Sequence, residues 1–143
     1  MTDDQAEPER LTDKAELLFR QVHPNWLNDG QPSSQAFKPT LKDEGKLSTA
    51  RAAKTTPEAA FVHHTDTLGL QSAGTWAVSV EEIEATPVPL EAYGDPVTEP
   101  TVDPAHAFIE YPDDRKLVET KAKILRAKAR DRGRLHPNDQ QPT

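Results

Sequence analysis

The segment Thr75-Trp76-Ala77-Val78-Ser79-Val80 decides the fold, because it carries the clearest β-strand pattern in the chain. Its apolar side chains Trp76, Val78 and Val80 alternate with smaller residues, so all three point to one side of an extended backbone. The segment therefore predicts a strand with one strongly apolar face, and it places Trp76 in the core.

Shorter segments on both sides of this strand predict the rest of a sheet. Residues 15–23 favour a strand over a short helix, because the run is short and has apolar residues on both faces. The other predicted strands are 33–37, stopped by Pro39, a short edge strand at 88–93 in a proline-rich stretch, and 105–111. The polar residues 38–54 are interpreted as a surface loop.

Two helices are predicted from their end signals. Thr56-Pro57-Glu58 is a typical helix start, and Gly69 ends the helix. Asp113 and Asp114 can cap a second, long helix that ends at Gly133. Its apolar stripe has helical spacing and consists of Val118, Ala122, Leu125 and Ala129. Residues 81–85 are expected to form one further helical turn.

These elements do not alternate regularly, so they indicate an α+β fold with a small mixed sheet of short strands and two helices. We expect four parts along the chain. They are a disordered acidic tail at 1–13, an α+β core at 14–112 with a proline-rich loop at 86–104, a basic amphipathic helix at 113–134, and a flexible, frayed tail at 135–143.

Composition limits the class of protein. The 143 residues are only 34% hydrophobic and include 13 prolines, which predicts one modest core with loose ends. Cysteine is absent, which favours a reducing compartment and excludes a thiol nucleophile. No segment approaches the length of a membrane span, and the acidic N-terminus is unlike a targeting peptide. A cytoplasmic protein without membrane contact is expected.

Charge is distributed unevenly along the chain. Residues 1–113 carry 8 Lys and Arg against 20 Asp and Glu, whereas residues 114–134 carry 9 against 3. The basic segment could attract the acidic body, an acidic protein partner or nucleic acid. Nucleic acid is the less favoured partner, because the segment has no aromatic residue to stack on bases. Trp26, Arg126 and Arg130 are the candidate contacts with a protein partner.

A first candidate site lies in the segment from Arg20 to Phe37. Arg20 could hold a phosphate through its fork of donors, with His23 beside it. Ser33 and Ser34, followed by Phe37, could orient a ribose.

This arrangement over residues 17–37 resembles the first two strands of ADP-ribosyltransferase-like domains. The resemblance implies NAD as the ligand and a late glutamate that orients the ribose. Glu110 is the candidate for that glutamate, with Arg20 and His23 as its catalytic partners. The alternative is that Arg20 pairs with one of the many acidic groups and that His23 caps a strand end.

A second candidate group is formed by His63, His64 and His106, with Asp66 as a further oxygen donor. Adjacent histidines on a helix point about 100° apart and seldom bind one ion, so no metal site is predicted. His23 or His106 could act as an acid or base near neutral pH, but the sequence shows neither a nucleophile nor a partner for them.

Three functions remain open at the level of sequence. The favoured one is a non-enzymatic protein-interaction or accessory module without a cofactor. The alternatives are a nucleotide-binding enzyme with an ADP-ribosyltransferase-like site and a weak nucleic-acid binder that uses its C-terminal basic helix.

Overall fold

A computed structural model describes residues 8–40, 44–87 and 89–137, and it confirms the α+β fold class. The strands of the described ranges are β1 Glu9–Arg10, β2 Leu17–Val22, β3 Leu27–Asn28, β4 Gln31–Pro32, β5 Lys46–Arg51, β6 Gly74–Ser79, β7 Glu91–Gly94 and β8 His106–Glu110. The α-helices are α1 Pro57–Val62, α2 Val80–Glu84 and α3 Arg115–Arg132. Short 3-10 helices at Pro24–Trp26 and Ser34–Phe37 and a π-helical turn at His63–Thr67 complete the fold.

Six of the strands form one sheet in the order β1-β7-β8-β5-β2-β6, with every pair antiparallel. Strand β2 pairs with β6 along its whole length but with β5 at only two positions, of which Phe19–Ala50 is the last. Arg20 follows, and its guanidinium Nη1 donates to the Ser48 carbonyl at 3.0 Å. An arginine side chain thus takes the place of the next backbone contact between these central strands.

Side-chain alternation gives the sheet two faces. The core face is defined by Leu18, Leu47, Trp76, Val78 and Ile109, all of which are buried. Helix α3 covers this face with its own apolar stripe, together with α2 and the 3-10 helix Ser34–Phe37. The buried Trp76 confirms the prediction made from the best strand.

The opposite side is here called the cleft face and is defined by Phe19, Ser48, Ala77, His106 and Phe108. Among the described residues, α1 with its π-helical turn and Leu135 cover the β2–β6 end of this face. The rest of this face carries polar and aromatic side chains, such as Ser48, which is exposed.

Both predicted helices are confirmed, with their end signals. The Thr56 hydroxyl accepts from the Ala59 N–H at 3.1 Å, and the Asp114 carboxylate accepts from the Leu117 N–H at 3.1 Å. Helix α3 ends at Gly133, whose φ is +91°. None of the helices in the described ranges has both the length and the apolar content needed to cross a membrane.

Two local predictions are wrong. Ser34–Phe37 is a 3-10 helix instead of a strand, because this turn places Ala36 and Phe37 together in the core. The predicted surface loop at 38–54 contains the central strand β5. Its Leu47 and Thr49 alternate into the interior, and β2 and β8 bind its two edges.

The ends of the core also differ from the sequence interpretation. Within the expected acidic tail, Glu9–Arg10 pairs with β7 and Leu11 is buried, whereas residues 1–7 lie outside the described ranges. Strand β7 lies between β1 and β8 and not at an edge, and residue 88 is outside the description. In the expected flexible tail, Leu135 and His136 bond to Thr75, and residues 138–143 are not described.

Candidate functional site

An open cleft of about 460 Å³ lies on the cleft face. Its floor consists of side chains from β2, β5 and β8, including Phe19, Ser48 and His106. Helix α1 with its π-helical turn makes one wall, and residues 102–105 make the other. These three strands are neighbours in the sheet, since β5 pairs with both β2 and β8.

Cationic and imidazole side chains dominate the polar lining of the cleft. They are Arg20, Lys54, His63, His64 and His106, against Asp103 as the carboxylate among the described lining residues. A smaller adjoining groove shares Arg20 and His64 with the cleft and adds His23 and Trp26. Four of the five histidines of the chain therefore border the cleft or the adjoining groove.

Arg20 is held at the junction of the cleft and the groove. Its Nε donates to the Ala36 carbonyl at 2.8 Å and its Nη1 to the Ser48 carbonyl at 3.0 Å. The guanidinium carbon lies 5.3 Å from the centre of the Trp26 ring, which is a cation–π contact. Three separate segments thus fix one permanent positive charge beside the cleft.

The two adjacent histidines of the α1 wall have different environments. Burial, together with the nearby charge of Arg20, lowers the pKa of His64, although a backbone hydrogen bond with Gln71 acts in the opposite direction. This shift of the pKa favours the neutral imidazole form of His64. His63 Nε2 lies 3.6 Å from Asp103 Oδ2, so this pair joins the two walls of the cleft.

His106 on the floor has a partner at each ring nitrogen. Nδ1 lies 3.0 Å from the Asp95 carbonyl and 3.6 Å from the Asp95 carboxylate, and Nε2 lies 3.3 Å from Ser48 Oγ. A carbonyl oxygen can only accept, so the proton resides on Nδ1 and Nε2 is left as an acceptor. The Ser48 hydroxyl can then donate to Nε2. His106 therefore has a hydroxyl and a carboxylate beside it, and the sequence had not revealed either of these neighbours.

The described residues contain no group of three His, Cys, Asp or Glu side chains arranged to ligate a metal ion. His63 and His64 are neighbours on one turn, and Asp66 contacts the Thr65 hydroxyl at 3.3 Å. The lining of the cleft suits an anion through its charges and hydrogen-bond donors.

The structure brings together two of the residues that were predicted from sequence to form a nucleotide site. Arg20 and His23 both border the adjoining groove. His23 also caps the 3-10 helix Pro24–Trp26, because its Nδ1 accepts from the Asn25 N–H at 3.0 Å. Its ring lies tilted against Trp26, with the ring centroids 5.7 Å apart.

The other predicted ligand residues lie elsewhere. The Ser33 hydroxyl donates to the Trp26 carbonyl at 2.7 Å, Ser34 bonds to Glu119 on α3, and Phe37 is fully buried on the core face. Glu110 lies four residues from His106 along β8, or about 13 Å, and borders a different depression. The glutamate implied by the ADP-ribosyltransferase resemblance is therefore not at the Arg20 cleft.

The predicted partner contacts lie in or beside the docked helix α3. Arg130 Nε donates to the Pro32 carbonyl at 2.8 Å, and Arg126 is half-buried, with no hydrogen-bond partner for its Nε among the described residues. Trp26 is partly buried and packs against the main core. The basic helix thus uses part of its charge to bind its own core.

Ser48, Lys54, Asp95 and Asp103 were not singled out in the sequence. Ser48 and Asp95 are 58 and 11 residues away from His106, and only the sheet register brings them together. The alternation in Lys46–Arg51 is the one signal that would have revealed β5 and the exposed position of Ser48.

Comparison with known proteins gives no match to this chain, either among protein-family models, among curated proteins or among solved structures.

Proposed function

We propose that this protein binds a small anionic ligand of the nucleotide type, a planar ring joined to phosphate, in the cleft of the cleft face. The observation that carries this proposal is the lining of the cleft. The whole chain has a net charge of −7, yet the described lining of this depression has an arginine and a lysine against one aspartate, with imidazoles as further hydrogen-bonding groups. A cationic depression attracts anions, whereas the acidic remainder of the protein surface repels them.

The phosphate end of such a ligand would lie near Arg20 and Lys54. Arg20 is already fixed by two backbone carbonyls, so a bound anion would cost little side-chain entropy there. Lys54 is exposed at the rim of the cleft and supplies a second, mobile charge. Arg20 would act mainly through its fixed positive charge, because its Nε and Nη1 already donate to backbone carbonyls.

The ring end would contact apolar side chains on the cleft walls. Five large apolar side chains are exposed among the described residues, and three of them, Leu68, Leu70 and Val102, line this cleft. Exposed apolar residues grouped around a depression are typical of a ligand site. The volume also lies within the roughly 300–1,000 Å³ of small-molecule sites.

A thermal-shift measurement with ATP, NAD, ADP-ribose and short RNA tests this proposal. A ligand that binds only the folded chain at 100 times its Kd adds about 2.7 kcal/mol to the free energy of unfolding. We expect at least one nucleotide to raise the melting temperature. Lys54→Glu should remove most of that shift, and the matched charge reversal Lys116→Glu on the exposed side of α3 should keep it. Unchanged melting with every nucleotide would refute the proposal.

A second candidate function, contact with an acidic macromolecule, is supported by the outer side of α3. Lys116, Lys123 and Lys128 remain exposed there, next to the exposed Leu117. In the same screen, a shift with RNA that disappears at high salt and in Lys128→Glu would favour this function over the cleft.

A further inference from the structure

We infer that Ser48, His106 and Asp95 form a nucleophile–base–orienting group that hydrolyses an ester through an acylated Ser48. The inference rests on the proposed function for its ligand class, which is an ester whose alcohol or acid part carries a phosphate. It adds a reaction to a site proposed so far only for binding.

The sheet register produces this group. Ser48 pairs with Phe108, and Ala50 pairs with His106, so Ser48 and His106 are diagonal neighbours on the cleft face. Diagonal neighbours on an antiparallel pair are within reach of long side chains. The 3.3 Å distance from Ser48 Oγ to His106 Nε2 is thus set by two paired strands and not by a mobile loop.

The remaining contacts of His106 prepare it to act as a base. The Asp95 carbonyl, 3.0 Å from Nδ1, holds the proton on that nitrogen, and the Asp95 carboxylate lies 3.6 Å away to face the imidazolium when it forms. A base that is itself oriented by a third group is the recurring requirement for an activated serine.

The proposed nucleophile is accessible from the cleft. Ser48 is exposed and lines the cleft. Arg20 Nη1 donates to the backbone carbonyl of Ser48, whereas the Ser48 hydroxyl lies on the cleft face.

The reaction follows in two balanced halves. Ser48 Oγ bonds to the carbonyl carbon and gives its proton to His106 Nε2, and the ester C–O bond then breaks as that proton passes to the leaving alcohol. Water next attacks the acylated serine with His106 again as base. The C–Oγ bond breaks, the carboxylic acid leaves, and Ser48 regains its proton.

Covalent labelling tests the inference on the full-length protein. We expect a fluorophosphonate to add once to the chain, with the adduct mapped to Ser48 by mass spectrometry, and p-nitrophenyl acetate to be hydrolysed. Ser48→Ala should abolish both reactions, and His106→Gln should slow them at least tenfold. Ser33→Ala is the matched control and should react like the original chain, because the Ser33 hydroxyl is bound to the Trp26 carbonyl.

The outcomes separate this inference from the proposed function. Melting temperatures of the variants show whether each is folded, and Ser48→Ala changes only an exposed hydroxyl. A nucleotide shift without any adduct on Ser48 would overturn the inference and leave the binding proposal intact. An adduct on Ser48 without any nucleotide shift would support the reactive group and refute the proposed ligand class. If the fluorophosphonate labelled Ser48→Ala as much as the original chain, that result would also overturn the inference.

Discussion

The core face and the cleft face belong to the same strands, yet they differ in nearly every property. The core face is apolar and lies under the 18-residue helix α3, whereas the cleft face is only partly covered by the six-residue helix α1. Side chains one residue apart, such as Leu47 and Ser48, therefore have opposite surroundings. In this protein, stability is concentrated on one side of the sheet and candidate chemistry on the other.

This division predicts that substitutions on the two faces change the free energy of unfolding by different amounts. Fully burying one large apolar side chain stabilises the fold by about 1.5–3 kcal/mol. The core face has many such residues, and the exposed apolar residues around the cleft contribute much less.

The largest expected effect is that of Phe37→Ala. Phe37 is fully buried on the core face, so its truncation should lower the free energy of unfolding by about 3–5 kcal/mol. Leu70→Ala at the rim of the cleft is the matched truncation of a side chain that is 51% exposed, and it should change stability by less than about 0.5 kcal/mol. Denaturant unfolding measures both. Similar losses of unfolding free energy for the two variants would contradict the expected difference between the two faces.

A smaller effect is expected for Tyr111→Phe. The buried Tyr111 hydroxyl donates to the Phe37 carbonyl and ties the end of β8 to the 3-10 helix. Burial also raises the pKa of Tyr111, so the phenol stays a donor. Loss of the hydroxyl leaves a buried carbonyl unpaired, which should cost about 1–3 kcal/mol.

Tyr93→Phe is the control on the other face. The Tyr93 ring stacks on Phe108, and its hydroxyl donates to the Glu91 carboxylate at the surface. Water can replace that bond, so thermal unfolding of Tyr93→Phe should be close to that of the original chain. A larger loss of stability in Tyr93→Phe than in Tyr111→Phe would contradict the expected difference between the two faces.

The smallest effect concerns pH and the contact between α2 and α3. Partial burial raises the pKa of Glu82, but hydrogen bonds from Arg132 and the Ser79 N–H lower it by more, so that its pKa lies below the ordinary value of 4.5. The stabilisation from Glu82 is therefore fully present above about pH 4.5 and is lost as pH falls through the lower folded-state pKa.

Melting curves between pH 3 and pH 7 should show this loss, and Glu82→Gln should reduce it. The control is Glu119→Gln, since the partly exposed Glu119 pairs with Lys38 in a contact that salt screens. If Glu82→Gln leaves the acid side of the stability curve unchanged, the Glu82–Arg132 pair does not couple the two helices.

The sequence predicted correctly those helices and strands whose signals lie within the element itself. The alternation around Trp76 and the caps at Thr56 and Asp114 each lie within a few residues, and those elements are confirmed. Strand β5 was missed because Leu47 is its one large apolar side chain, and its identity as a strand depends on pairing with β2 and β8. The 3-10 helix at Ser34–Phe37 was missed because it is stabilised by the packing of Phe37 under α3, a contact between segments far apart in the sequence.

The candidate site was predictable only in part. Arg20 was singled out as a possible phosphate-binding residue near His23 and a serine pair, and it is among the residues that line the cleft. Ser48 and Asp95 carry no local signal, since a serine in a polar stretch and an aspartate near prolines are common. Only the register that aligns β5 with β8 makes them partners of His106.

The chain segment after α3 has a consequence for solubility. Leu135 N–H donates to the Thr75 carbonyl and Thr75 N–H donates to the His136 carbonyl, so residues 134–136 cover the outer edge of β6. Only glycine permits this approach at position 74, because a Cβ there would lie 2.9 Å from the His136 carbonyl. An uncovered edge strand next to Trp76 would offer its backbone to other copies of the chain. A tag or fusion that displaces this segment would therefore favour aggregation, so expression tags belong at the N-terminus.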